Sequence, residues 1–229
     1  MDKIMASRKI PKNYSNITGK LASEKSSTML SYESKLERDF YFLFDFDQYI
    51  ERIQDQPITI KYMYEGKRRT YTPDVLLRYG SSPYYVLGEV KYHDELAKNF
   101  QELRPKFEAA IDYCSKHPNM KFKLFTDRCP KIKNEAYRDN VRFLLSYKEI
   151  YPEYQRLILE HFRCFDTVGE LLEKITADRF EQMEIVPTLW AMMRYHAFEV
   201  DLFTKLSKNT ILENLGECIF PYKPERVLS

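Results

Sequence analysis

Cysteine and histidine are scarce in this chain of 229 residues, with four of each. Cys114, Cys129, Cys164 and Cys218 form no Cys-x-x-Cys pair, and the histidines are equally dispersed. Neither a zinc knuckle nor a disulfide framework is suggested, so a reduced cytoplasm is the default compartment. Long apolar runs are missing too. Nothing approaches the roughly eighteen apolar residues of a membrane span. Met1–Leu30 has no apolar signal core, so neither a membrane role nor a secretory leader is expected. There is no internal repeat and no low-complexity tract.

What is present is globular: 44% hydrophobic and 15% aromatic residues, enough to bury one or two cores. The net charge of +2 hides an asymmetry. Residues 1–30 carry six Lys/Arg against two Asp/Glu, whereas residues 146–229 carry ten against fourteen. The Ser-rich, basic amino-terminal arm reads either as a flexible segment laid along phosphates or as a solubilising tail. The acidic carboxy-terminal third is a poor main surface for DNA.

The chain is organised around Tyr71-Thr-Pro-Asp-Val-Leu-Leu-Arg-Tyr79 and Tyr84-Tyr-Val-Leu-Gly-Glu-Val-Lys-Tyr92. Both read as strands, joined by the turn Gly80-Ser-Ser-Pro83. Asp74 opens the first strand. Glu89 and Lys91 are two apart on the second, so they share a face, and the hairpin brings that face to Asp74. Val86, Gly88 and Val90 assign the opposite face to the core. Two carboxylates and an ammonium at one sheet end suit Mg²⁺, with Mn²⁺ as a substitute, and a lysine that orients or deprotonates a water. The same three residues could also be solvated cross-strand charges.

Ser34-Lys-Leu-Glu37 is a capping box opening a helix to about Phe46, with Leu36, Phe40, Leu43 and Phe44 inward. Glu37 either satisfies a backbone N–H or reaches the Asp74/Glu89 cluster. A strand before Gln56-Pro57 leads to a hairpin, 58–64 and 67–71, turning at Glu65-Gly66. Lys67, Arg68 and Arg69 hold a phosphate or protect a charged edge. Asp94 caps a helix to about Ser115, kinked at Pro105, with Leu96, Phe100, Leu103, Phe107 and Ala110 as its stripe. Strand 121–126 and a helix from Asn134 to Tyr147 complete a mixed α/β core.

These pieces, in order, resemble a known family. Ser34-Lys-Leu-Glu37, Asp45-Phe-Asp47, Gln56-Pro57, Thr72-Pro-Asp74, Glu89-Val-Lys91, Phe125-Thr-Asp127 and Asn140-Val-Arg-Phe-Leu144 look like the amino-terminal domain of TnsA. TnsA is the endonuclease subunit of heteromeric cut-and-paste transposases. The resemblance covers about Ser31 to Tyr147. It implies a restriction-endonuclease-like fold, a mixed sheet flanked by helices, cleaving DNA at the 5′ ends of a transposon with one or two Mg²⁺ ions. It implies Glu37, Asp74 and Glu89 as acidic metal-site residues, the Val90 carbonyl as a further ligand, and Lys91 as the catalytic lysine. Gln56 takes a structural or phosphate-facing position. Some relatives carry Gln in place of the Glu of Glu-x-Lys; this chain keeps the acid. The implied partners are TnsB, which cuts and joins the 3′ ends, and the AAA+ regulator TnsC, which contacts the carboxy-terminal domain.

Residues 148–229 read as a mainly helical, winged-helix-like domain after a short linker, 146–152. Its expected helices are Tyr151–Cys164, Val168–Ile175 capped by Thr167, and Pro187–Phe198, with short strands at Phe198–Phe203 and Thr210–Leu212. It either reads DNA through Arg194 and His196 or docks a protein such as TnsC. Two other functions stay open: a stand-alone restriction or defence nuclease, and a non-catalytic scaffold in a DNA-processing complex.

Overall fold

The computed structural model describes residues 17–80 and 84–213. The first half of the basic arm, most of the 80–83 turn and Cys218 therefore lie outside the described residues. The chain divides into two compact units between Lys133 and Asn134.

The first unit is built on a four-stranded sheet. Its strands are β3 (Ile50–Asp55), β6 (Val75–Tyr79), β7 (Tyr84–Lys91) and β8 (Met120–Thr126), in the spatial order β3-β6-β7-β8. β6 runs antiparallel to both β3 and β7, while β8 runs parallel to β7, from Tyr85↔Met120 to Lys91↔Thr126. A parallel neighbour needs a crossover, which α2 (His93–Ser115) provides. Two separate ribbons complete the strands: β1 (Gly19–Leu21) with β2 (Leu30–Tyr32), and β4 (Ile60–Tyr64) with β5 (Lys67–Tyr71). The second ribbon turns at Glu65-Gly66, both with positive φ (49° and 72°). That is the conformation a tight two-residue hairpin needs.

Helix α1 (Lys35–Phe46) starts at Ser34, whose side chain accepts from the Glu37 N–H. Its Leu36, Phe40, Tyr41 and Phe44 pack against Ile53, Val75, Leu77, Val86, Val90 and Phe125. The opposite side of the sheet, with Leu87, packs against Ala110 and Cys114 of α2 together with Ile60 and Tyr71. So β7 is buried from Val86 to Val90 on both faces, which corrects the expectation of one core face and one open face. At Gly88 an added Cβ would lie 2.6 Å from the Phe125 ring and 2.8 Å from Val75, so only glycine lets these neighbours close.

Two features of α2 differ from the periodicity. The kink lies at Asn99 (φ −113°, ψ 16°), and Pro105 sits inside the helical segment that follows it. Phe100 is 47% exposed, and the buried stripe is Phe107, Ala110 and Cys114. Resetting the helix at Asn99 turns its first turns out of phase with the sheet. A short α3 (Pro130–Lys133) ends the unit.

The second unit contains α4 (Glu135–Leu145), α5 (Pro152–His161), α6 (Val168–Ile175) and α7 (Arg179–Arg194). α4 packs with α7, so it belongs here and not with the sheet to which its sequence position had joined it. α7 begins eight residues before Pro187, capped by Asp178, which accepts from the Phe180 N–H at 2.8 Å. The strand expected at Phe198–Phe203 does not form. β10 (Ile211–Leu212) pairs instead with β9 (Asp166–Thr167), so no wing of two consecutive strands is seen among the described residues. Arg194 is 6% exposed and donates to the carbonyls of Leu145 (3.3 Å) and Tyr147 (3.1 Å). It fastens the end of α4 and does not face a groove. His196 turns the chain after α7 with φ +58°.

No helix of the described residues is long and apolar enough to cross a membrane.

Candidate active site

Asp74 is the last residue before β6, and its backbone is pinned from two sides. The Gln56 N–H and the Tyr41 hydroxyl both donate to its carbonyl, at 2.9 and 3.2 Å. Gln56 itself holds a positive φ of 41°, so its visible role is to shape the backbone around Asp74. The Asp74 carboxylate is fixed as well: the Val90 N–H donates to Oδ2 at 2.7 Å. The β6–β7 ladder ends at Val75↔Gly88, and the Asp74 side chain replaces the strand neighbour that Val90 would otherwise lack. Since the N–H and C=O of one strand residue point to the same side, the Val90 carbonyl also faces the side of Asp74.

Glu89 lies deeper, 2% exposed. The Tyr71 hydroxyl donates to its Oε2 at 2.6 Å, and the Lys106 ammonium donates to Oε1 at 2.8 Å. Lys91 Nζ stands 3.9 Å from that same Oε1 and 3.9 Å from Glu95. Lys106 also rides over the rings of Tyr71 and Phe107, 5.0 and 5.3 Å from their centroids. The sequence reading missed Lys106 and Tyr71. A signal for Lys106 existed: it falls on the α2 stripe between Leu103 and Ala110, and a lysine on a buried stripe needs a buried anion.

Glu37 takes the capping role its position allowed, and no bond joins it to Asp74 or Glu89 among the described residues. Its Oε1 accepts from the Ser34 hydroxyl at 2.9 Å and its Oε2 from the Glu33 N–H at 2.8 Å, closing the cap of α1. It also lines, with Ser34, Lys35, Val90, Lys91 and Glu95, a cavity of about 530 Å³ at the end of β7.

The electrostatics follow from this crowding. Burial, then the charges of Glu89 and Glu37, push the Asp74 carboxyl well above the usual range, against the pull of the Val90 N–H and Lys91. Burial likewise raises Glu37, partly offset by its Glu33 and Ser34 hydrogen bonds. For Lys91, burial pulls downward, but Glu89, Asp74, Glu95 and Glu37 outweigh it and the net shift is upward. As an ammonium, Lys91 can donate to a water or a phosphate oxygen. Tyr41 and Tyr71 are raised by burial and neighbouring carboxylates, so both remain neutral donors.

Among the described residues, no three His, Cys, Asp or Glu side chains converge as a ready-made metal cage. The reason is visible in the hydrogen bonds: Glu37 is turned to its cap and Glu89 to Lys106 and Tyr71. The donor set still suits a hard divalent cation in kind. It is all oxygen, and its central carboxylate is destabilised by two carboxylate neighbours whose repulsion a cation relieves.

Lys67, Arg68 and Arg69 are exposed on β5. By the strand period of two, Lys67 and Arg69 share a face with Tyr71, the residue that holds Glu89.

Residues 47–127 match the model of a family described as TnsA-like endonuclease N terminal. The match spans Gln56, Lys67–Arg69, Asp74, Glu89, Val90, Lys91 and Lys106, and begins after Glu37. No curated protein matches the chain.

Proposed function

We propose, from the match of residues 47–127 to the TnsA-like endonuclease N-terminal family, that this chain is a Mg²⁺-dependent DNA endonuclease subunit. It hydrolyses phosphodiester bonds at the 5′ ends of a transposon, together with TnsB and TnsC. The observation that carries the reading is the Asp74 carboxylate held on the Val90 N–H, with the Lys91 ammonium 3.9 Å from Glu89 on the next strand.

Asp74, Glu89, the Val90 carbonyl and Glu37 would hold one or two Mg²⁺ or Mn²⁺ ions. The metal, when bound, supplies Lewis-acid polarisation of the phosphodiester and neutralises charge at the leaving oxygen. Tyr41, Gln56 and Val90 fix Asp74 in advance, so its carboxylate is preorganised. Lys91 orients the attacking water or holds a non-bridging oxygen through its protons. Lys67, Arg68 and Arg69 neutralise backbone phosphates on the β4–β5 ribbon, which positions DNA without reading its sequence. The second unit, acidic and mainly helical, serves as the docking module for TnsC.

The test is 5′-end cleavage of a transposon-end duplex with Mg²⁺, TnsB and TnsC. Asp74→Ala and Lys91→Ala should each lower the rate by a factor of about 10³ or more, with thermal unfolding of the folded chain retained. An Asp74→Ala chain that cuts at the wild-type rate overturns the assignment. Full activity without partners would favour the stand-alone nuclease.

A further inference from the structure

Glu89 is almost wholly buried, and both of its oxygens are already taken: Oε2 by the Tyr71 hydroxyl and Oε1 by the Lys106 ammonium. Lys106 is held in turn by the faces of Tyr71 and Phe107. A carboxylate buried this deeply requires a cation or strong donors. The chain provides the two hydrogen-bond donors from α2 and β5, while Lys91 of β7 stands further off, 3.9 Å from Oε1.

We propose that Lys106 is the resident cation of the active site. It occupies Glu89 while no divalent metal is bound, and it yields that carboxylate when one is. This rests on the metal-dependent nuclease reading above and adds a positioning residue to it. It also accounts for the absence of a converged metal cage among the described residues: Glu89 is turned toward α2 by Lys106 and Tyr71. Metal binding is then an exchange of one cation for another at Glu89. The apparent metal affinity is reduced by however strongly Lys106 holds on.

Such a residue has an unusual signature. Removing a purely structural ion pair weakens both the fold and any site built upon it. Removing a competing cation weakens the metal-free fold but strengthens metal binding. The experiment is calorimetric titration of Mn²⁺ into the full chain, paired with thermal unfolding in EDTA and in saturating Mn²⁺. Lys106→Met should lower the unfolding temperature in EDTA, recover much of that loss in Mn²⁺, and bind Mn²⁺ roughly tenfold more tightly. Tyr71→Phe removes only the hydroxyl, and should tighten binding by about twofold; it serves if Lys106→Met does not fold. Lys98→Met removes an equal charge from the exposed side of the same helix and controls for general electrostatics; its affinity should stay at the wild-type value. Lys106→Met binding Mn²⁺ no more tightly than Lys98→Met overturns the proposal, as does Tyr71→Phe binding at or below wild-type affinity. Wild-type chain that binds no Mn²⁺ sinks the metal-dependent reading itself, a distinct outcome.

Discussion

Among the described residues one helix in each unit starts on a Ser/Thr-x-x-Glu pattern: α6 closes a full capping box, whereas on α1 the glutamate accepts from the N–H of Glu33, one residue before the N-cap. On α1, the Ser34 hydroxyl oxygen accepts from the Glu37 N–H at 3.1 Å, and Glu37 accepts from the Ser34 hydroxyl and the Glu33 N–H. On α6, Thr167 accepts from the Glu170 N–H at 3.1 Å, and Glu170 accepts from the Thr167 N–H and hydroxyl. The hydrogen bonds are otherwise alike, yet the two acids are electrically opposite. Glu37 is buried and its carboxyl is pushed up; Glu170 is exposed and held below its ordinary value by its cap hydrogen bonds. A cap alone gives the second result. The first needs burial, to which the neighbouring Glu33 charge adds, and Glu37 in turn helps to raise Asp74. The same sequence pattern thus carries an exposed glutamate on α6 and a buried one on α1.

The comparison can be broken first through cleavage. Glu37→Gln keeps a hydrogen-bonding cap but removes the charge, and should slow 5′-end cleavage by about 10- to 100-fold. Glu170→Gln should leave the rate unchanged. Equal rates for the two variants would reduce Glu37 to a cap.

A smaller effect separates them by pH, measured by urea unfolding in EDTA between about pH 4 and pH 7. Glu37 has a raised folded pKa, so its contribution is fully present below its unfolded value and lost as pH rises through the folded one. Glu170 has a lowered folded pKa, so its contribution is present above the ordinary value of 4.5 and lost as pH falls through the folded one. Glu37→Gln should therefore flatten the decline toward high pH, and Glu170→Gln the decline toward low pH. Slopes that change in the same direction would mean that burial does not distinguish the two.

The smallest expected difference is in the caps themselves. Ser34→Ala and Thr167→Ala should each cost about 1 kcal/mol of stability, by chemical denaturation. Similar losses would establish that the cap is common to both helices and only the surroundings differ.

Much of the first unit was legible because its signals are local. The Ser34 cap, the Glu65-Gly66 hairpin and the alternation in β6 and β7 each specify themselves within a few residues. The pairing of Asp74 with the Glu89 strand followed from one short hairpin. Three misreadings share another cause. Pro105 was a plausible kink and Pro187 a plausible helix start, but prolines are tolerated within α2 and α7 because packing decides where those helices bend and begin. Arg194 looked like a groove reader, and the carbonyls that bind it come from more than forty residues away.

The sequence alone determined that Asp74, Glu89 and Lys91 lie on one short hairpin, with Glu89 and Lys91 on the same face, because strand period and turn residues are local signals. Only the tertiary structure decided their state. Burial with the charges of Glu89 and Glu37 sets the Asp74 carboxyl high, the surrounding carboxylates raise Lys91, and the approach of α2 gives Glu89 to Lys106. Desolvation and Coulomb energy depend on distances between segments far apart in the chain, and no local pattern encodes those distances.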